Sequence, residues 1–484
     1  MNITALLHRK KARIYCIGIK GTGMCALAEL LHHAGFSVSG SDRAEVFYTD
    51  QILKTLGIPY RESFDPHHLP QDTELVIYSA AYSPETNPEL AEAHARGLPV
   101  LKYTDALGAY SAGFDASGIA GVHGKTTTTA MAGALIRGAG LPAQILAGSA
   151  VGAFGGRSTL TLGNKYLVAE TCEYRRHFLA FHPRRIVLTS VESDHQDYYP
   201  TYESIRDAFL EYGRKLPCEG EFIYCADDPG AAEVAKILEQ EPHGEHRRFI
   251  PYGFTAQGPF RIQSYTLGEE QALMVVAGFP DPLSIRIPGR HSALNAAGAL
   301  ALTDALVKTE TPGGWQQAQW DGARQSLAGF TGSKRRSEIL GEAGGILFMD
   351  DYGHHPTAVR STLAGLKEFY PQRRLVLSFM SHTYTRTASL LDRFSCCFEN
   401  ADITVLHKIY ASARESSLCG ISGETLFAKT KAHQDEVYYV AEPLDAVALL
   451  HKLLRPGDLF ITMGAGDNWK LGQALFTQAG GVLP

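Results

Sequence analysis

The run Gly121-Val-His123-Gly124-Lys125-Thr126-Thr127-Thr128 carries the strongest chemical signal in the sequence. Glycines let a backbone fold round a phosphate, and the N–H groups at a helix start point at it. Lys125 can neutralise charge on β- and γ-phosphates, and the Thr126 hydroxyl can ligate Mg²⁺. The run departs from the strict G-x-x-x-x-G-K-[S/T] loop, because Ile119 takes the first glycine position and Gly121 comes three residues before Gly124. The plain alternative is an accidental Gly-Lys-Thr in a loop. A β-prone Ile119–Val122 before the run and an Ala-rich helical stretch after it argue against that. Magnesium needs hard ligands beyond one hydroxyl. Glu170 ends the run YLVAE, and His195 follows RIVLTSVES, so both stand where strand ends line the crevice of an open α/β sheet. Taken singly, each is more often a solvated strand-end charge or a loop histidine.

A second glycine run, Gly18-Ile-Lys20-Gly21-Thr22-Gly23-Met24, follows the β-prone Arg13–Ile19, and Asp42 comes at about the acidic distance of a dinucleotide fingerprint. Alone, that pattern is weak. An NAD-linked oxidoreductase would use it for its cofactor, and a nucleotide-diphosphate enzyme would turn it towards a diphosphate.

These loops need strands and helices to hold them. Arg13–Ile19, a helix from Met24 to His33, a strand at Phe36–Ser39 and a strand at Leu75–Ser79 form the first alternating set. Tyr166–Glu170 and Ile186–Val191 read as buried strands, and His291–Val307 as an Ala-rich helix. Ile346–Met349, Leu375–Phe379, Ile403–Leu406 and Leu459–Met463 give a further alternating set. Such alternation predicts an α/β fold with mainly parallel sheets. Boundaries near Gly108–Gly118 and Phe330–Lys334 divide the chain into residues 1–115, 116–331 and 332–484. Three domains also suit 484 residues, at roughly 150 residues per domain.

The formal net charge of -6 shows no basic excess that would suit nucleic acid. The eight cysteines form no C-x-x-C pair, which argues against a zinc or thioredoxin-type site and suits reduced thiols in a cytoplasm. The basic start Met1–Arg13 is not followed by the apolar stretch of a signal peptide. The most apolar stretch, Met131–Gly156, contains Arg137 and Pro142 and does not suit a membrane span.

Taken together, Gly121–Thr128, Glu170, His195, Arg290-His291-Ser-Ala-Leu-Asn295, Asp350-Asp351-Tyr352-Gly353-His354-His355-Pro356, Gly40-Ser41-Asp42, Ala226-Asp-Asp-Pro229, Tyr384-Thr-Arg386-Thr and Met463-Gly-Ala-Gly-Asp resemble the Mur ligase family, in the family's order and over nearly the whole chain. The Asp350–Pro356 string is similar to the family's alanine-adding members. The resemblance implies an N-terminal Rossmann-like domain for a UDP-sugar, a central P-loop-type ATPase domain, and a Rossmann-like C-terminal domain that receives the amino acid and closes the site. It implies a ligase that uses ATP and Mg²⁺ to join L-alanine to UDP-N-acetylmuramate through an acyl phosphate. It further implies a monomer or weak homodimer in the cytoplasm, without nucleic-acid or membrane partners.

By the same resemblance, Gly121, His123, Gly124, Lys125, Thr126, Thr127, Asn295, Arg336 and Asp351 serve ATP. Thr126, Glu170 and His195 hold the metal. Gly18, Gly21, Thr22, Gly23, Met24, Ser41, Asp42 and Ser79 hold the UDP-sugar. Lys125, His354 and Arg386 face the reaction. Both chemical steps move negative charge, so cations matter more than a nucleophile.

Four departures stand out. Lys20 replaces a glycine and either pairs with diphosphate or points to solvent, the second being preferred. Ser292 replaces an asparagine before Asn295. Thr383 replaces an arginine, leaving Arg386 more exposed as the motif's sole arginine. After Glu170, an acidic run becomes Thr171-Cys172-Glu173-Tyr174-Arg175-Arg176, whose arginines face either the anionic substrate or the open surface. Three rivals stay open: a ligase that attaches a recycled peptide to the same sugar nucleotide, the NAD-linked oxidoreductase, and a non-catalytic nucleotide sensor.

Overall fold

Short apolar strands alternate with helices along the computed structural model, which describes residues 12–242, 244–268, 271–411, 415 and 420–482. The basic start up to residue 11 and Cys419 lie outside the described residues. The chain divides into two compact units. The first holds residues up to Val191 with Arg206–Gln257 and Gly298–Ser326, and the second holds Glu192–Ile205, Gly258–Ala297 and residues from Leu327 onward.

The first unit contains two sheets. One has five parallel strands in the order Tyr60–Arg61, Ser37–Ser41, Arg13–Ile17, Leu75–Tyr78, Val100–Lys102. Ile14–Ile17 and Leu75–Ile77 are buried, as strands covered on both faces must be. The strand order reverses direction at Arg13–Ile17, and the loops after it and after Leu75–Tyr78 flank that switch point. This is the position where open α/β sheets bind ligands.

The other sheet has seven strands in the order Arg248–Tyr252, Glu221–Cys225, Arg185–Leu188, Asp115–Ala120, Tyr166–Glu170, Ala143–Val151, Arg157–Thr161. All pairings are parallel except the hairpin of the last two. The strand before the Gly121–Gly124 turn, Asp115–Ala120, therefore lies between Arg185–Leu188 and Tyr166–Glu170.

The second unit has an antiparallel sheet of Ile262–Gly268, Gln271–Val276 and Leu283–Ile285. Its six-stranded sheet runs Glu338–Ala343, Ile346–Asp351, Asp458–Met463, Arg374–Phe379, Ile403–Leu406, Val437–Tyr439, with only the first pairing antiparallel. Leu347, Met349, Leu377, Phe379, Ile461 and Met463 pack on one face with Val359, Leu363 and Leu366 of the helix Pro356–Phe369.

The α/β class and the mainly parallel sheets match the sequence reading. Gly108–Gly118, where a domain boundary was placed, contains the end of the helix Tyr103–Ser111 and the start of the strand Asp115–Ala120. Met131–Gly156 divides between the helix Lys125–Gly138 and the strand Ala143–Val151, and among the described residues no helix is long and apolar enough to cross a membrane.

Candidate functional site

The Gly18–Gly23 turn is pinned by its own backbone. The N–H groups of Gly18 and Ile19 donate to the Ser41 carbonyl at 2.8 and 3.1 Å, and Gly21 N–H reaches the Gly18 carbonyl at 3.2 Å. Gly18 has φ 83°, and a Cβ there would come within 2.9 Å of Ser79 and Tyr82. Gly21 precedes the helix Thr22–His33 without any side-chain cap, so the helix start remains available to an anion. Ser41 and Asp42 stand behind this turn. The Ser41 hydroxyl donates to Glu89, while Asp42 accepts from the Lys20 N–H at 2.7 Å and the Arg43 N–H at 2.8 Å.

Lys20 does not point to solvent. Its side chain is fully buried, with Nζ 3.1 Å from Asp50, 2.8 Å from Glu62 and 3.0 Å from the Glu45 carbonyl. An ammonium taken out of water must be paired, and the two carboxylates supply the pairing.

In the central sheet the strand Asp115–Ala120 runs into the turn Gly121–Gly124 and then the helix Lys125–Gly138. Gly121 has φ 136° and Gly124 φ 79°, and a Cβ on Gly121 would strike Thr189 and Ser190. The His123 N–H donates to Ser190 Oγ at 2.8 Å, and the Thr189 hydroxyl donates to the His123 carbonyl. Thr126 is buried and Thr127 half-buried on the first helical turn. Lys125 Nζ donates to the Gly121 carbonyl and lies 2.8 Å from Glu173. Burial works against its charge, but the carboxylates of Glu173 and Glu170 outweigh it and raise the pKa. Glu170 receives the Gly148 N–H at 2.7 Å.

A cavity of about 390 Å³ reaches from the first of these turns to Glu170. Gly21, Thr22, Gly23, Met24 and Ser79 line one part, and Glu170, Thr171 and Cys172 another. Lys102, Tyr103, Leu107, His177, Phe178 and Phe181 complete its wall. A Cβ on Gly23 would sit 2.9 Å from the Tyr103 ring, so glycine is what lets the tyrosine lie against the turn. Burial first, and the Glu170 charge second, raise the Tyr103 pKa and keep its hydroxyl protonated. The space thus offers backbone N–H groups, a carboxylate, two basic side chains and an apolar flank.

The second unit gathers the remaining predicted residues. His195, in a left-handed conformation (φ 53°), follows Asp194, whose Oδ1 receives the His195 N–H at 2.7 Å. Arg386 is 4% exposed, which corrects the expectation that it stands open. Its Nε donates to Asp194 at 2.7 Å, and its Nη1 lies 3.1 Å from His382 Nδ1. His354 Nδ1 is 3.0 Å from the Tyr352 carbonyl, and its ring packs edge-on against His382. Burial and then the Arg386 charge push the His354 pKa well below that of a free imidazole, so it is neutral. Asp351 accepts N–H bonds from Ser337 and Gly353, both at 2.6 Å. Arg336 lies over the Tyr352 ring. Asn295 is buried on the helix Arg290–Glu310.

Among the described residues, seven non-glycine residues have positive φ, and all but Glu219 flank these motifs: Arg175, Arg176, His195, Arg335, Ser337 and Thr383. Backbone strain of this kind gathers at functional sites. Arg176 pairs with Glu211, and Arg175 lies over the Tyr174 ring. Sequence reasoning did not single out Glu173, Tyr103, Lys102, His177, Asp194 or His382 as site residues. Asp194 and Glu173 neighbour or lie within quoted motifs, which was the available signal.

Three consecutive segments match Mur ligase domains: residues 13–115 the "Mur ligase family, catalytic domain", 119–303 the "Mur ligase middle domain", and 335–466 the "Mur ligase, glutamate ligase domain". A UDP-N-acetylmuramate–L-alanine ligase of Treponema pallidum is 50% identical over 465 residues, which cover 96% of each chain. Among solved structures, a UDP-N-acetylmuramate–alanine ligase of Thermotoga maritima superposes with a TM-score of 0.73 at 23% identity, covering 96% of this chain and 98% of its own. A murein peptide ligase of Psychrobacter arcticus gives a TM-score of 0.64 at 21% identity, covering 98% and 100%.

Proposed function

Because the chain belongs to the Mur ligase family, we propose that it joins L-alanine to the lactyl carboxylate of UDP-N-acetylmuramate, with ATP as the driving co-substrate, in the synthesis of peptidoglycan precursors. The observation that carries this reading is the cavity of the first unit. It runs from the capless helix start at Gly21 to Glu170, whose strand pairs with the strand that leads into the Gly121–Lys125 turn. A sugar nucleotide whose diphosphate rests on Gly18, Gly21, Thr22, Gly23 and Met24, with Ser79 alongside, can direct its sugar end towards Glu170. Ser41 and Asp42 then hold the turn from behind.

ATP falls to Gly121, His123, Gly124, Lys125, Thr126 and Thr127, and the family resemblance assigns it Asn295, Arg336 and Asp351 as well. The hydroxyl of Thr126 and the carboxylate of Glu170 are hard oxygen donors of the kind magnesium takes, and we assign His195 as the third ligand. Bound there, magnesium would neutralise charge on the phosphates during transfer. Lys125 adds a fixed positive charge to the same phosphates. Arg386 and His354 serve the later step, in which the amine attacks the acyl phosphate. Neutral His354 is suited to accept a proton there. We place the domain limits at residues 1–115, 116–331 and 332–484. ATP as co-substrate suits the cytoplasm.

The test is phosphate release from ATP by purified protein with UDP-N-acetylmuramate, screened over L-alanine, glycine, L-serine and the recycled tripeptide. Release that requires both the sugar nucleotide and L-alanine is the expected result. Preference for the tripeptide would shift the assignment to the peptide-adding reaction, and no ATP use with any partner would defeat the reading.

A further inference from the structure

Lys20 sits in the middle of the glycine turn, yet its ammonium faces away from the cavity that Gly21, Thr22 and Gly23 line. Nζ is held by Asp50 at 3.1 Å, Glu62 at 2.8 Å and the Glu45 carbonyl at 3.0 Å, above the Tyr60 ring. Asp50 is itself fixed by the Tyr60 hydroxyl and by the Phe47 N–H at 2.7 Å. The Lys20 backbone is tied as well: its N–H donates to Asp42 and its carbonyl accepts from the Thr49 hydroxyl.

Glycine-rich backbone loses much conformational freedom when ordered, so a turn of this kind is preorganised only if something outside it holds it. Two carboxylates against one ammonium leave that cluster with net negative charge. Such a cluster does not attract diphosphate. From this geometry we propose that Lys20 is a positioning residue for the sugar nucleotide. Its buried ion pair with Asp50 and Glu62 anchors the Gly18–Gly23 turn, so the turn's N–H groups are already arranged when the diphosphate arrives. This rests on the reading of that turn as the UDP-sugar site. The side chain touches no substrate, and the substitution of Lys20 acts on binding before chemistry.

The experiment is a double-mutant cycle of Lys20→Met and Asp50→Asn, read as KM for UDP-N-acetylmuramate, KM for ATP and kcat, with calorimetric binding of UDP alone. Each single variant should raise KM for the sugar nucleotide by about tenfold, a change in binding equivalent to the loss of one good interaction. The double variant should be no worse than either single one, because both break the same anchor. KM for ATP and kcat should stay within about twofold, a change below the usual size of one lost interaction. A direct diphosphate ligand gives the opposite pattern: Asp50→Asn would release the ammonium and tighten the substrate. That result, independent effects that multiply, or an unchanged KM in Lys20→Met would overturn the proposal. Should Lys20→Met fail to fold, Asp50→Asn decides alone by the direction of its effect. Wild-type protein with no affinity for UDP would defeat the functional reading. Wild-type binding with equal binding by the variants would defeat only the role of Lys20.

Discussion

Arg386 and Asp194 are 192 positions apart in sequence and 2.7 Å apart in the second unit, with Nε of the guanidinium donating to the carboxylate. Both side chains are almost wholly buried. Burial pushes the Asp194 carboxyl towards neutrality, but the Arg386 guanidinium beside it holds it well below the usual carboxylate range. The pair is therefore charged at neutral pH, and the carboxylate holds the Arg386 guanidinium in place.

Arg386→Gln leaves the Asp194 carboxylate buried without its main counter-charge. Breaking a buried pair by removing one partner costs about 3–5 kcal/mol. The urea midpoint of the variant should fall accordingly, and Asp194→Asn added to it should recover part of the loss. A midpoint equal to that of the wild type would mean that the ion pair contributes nothing to stability.

The same substitution should change the titration of His354. Burial comes first in lowering its pKa and the Arg386 charge second, whereas the Asp194 carboxylate raises it. Taking away the arginine removes one lowering influence and leaves the carboxylate in place. Followed by NMR, the His354 ring should titrate at higher pH in Arg386→Gln than in the wild type. Identical curves would break the link between these residues.

His407 gives the second unit a separate sensitivity to acid. It is 1% exposed, with Nε2 2.8 Å from Ser378 Oγ and Nδ1 2.7 Å from the Val440 carbonyl. Burial lowers its pKa to about 4. The unfolded chain binds a proton near pH 6.5 while the folded chain does not, so stability is whole above that pH and falls as pH drops towards 4. The loss amounts to about 3 kcal/mol over that window. Denaturant midpoints between pH 7 and 4 should show it, and His407→Gln should flatten that part of the curve; an equally steep curve in the variant would rule the residue out.

The Gly121–Thr126 turn is legible in the sequence because all its parts are local: a β-prone run, two glycines, a lysine and a threonine at a helix start. The same holds for Glu170, which ends the strand Tyr166–Glu170. Strand ends are less legible where polar residues continue a ladder. Ile346–Asp351 includes Asp350 and Asp351, both buried, because the pairing with Thr462 and Met463 carries on past the apolar residues. Partners far off in sequence are not legible at all. Glu173 meets Lys125 across 48 positions, and Glu62 meets Lys20 across 42. A lysine in a glycine run therefore gives no sign that it is buried.

Lys125 and Glu173 form a pair whose two halves can be separated by experiment. Lys125→Met should abolish ADP formation, with a loss of at least about 100-fold as for other transition-state charge donors. It also takes from Glu173, whose side chain is 2% exposed, the ammonium 2.8 Å away. Lys125→Met with Glu173→Gln should therefore melt higher than Lys125→Met alone while remaining inactive. Normal turnover in either variant would remove Lys125 from the site.

Glu170 tests the metal assignment. Its carboxylate lines the cavity at the end of a central strand and spends one oxygen on the Gly148 N–H, leaving the other for a cation. Glu170→Gln keeps the size and an acceptor for Gly148 but removes the charge that a divalent ion requires. The magnesium concentration for half-maximal ADP formation should rise by about tenfold or more, the range typical of a weakened metal site. At saturating magnesium the variant should regain part of its rate, which separates a metal ligand from a residue needed only for folding. A magnesium titration that superposes on the wild-type curve would place the metal elsewhere and leave Glu170 as a clasp for the Gly148 backbone.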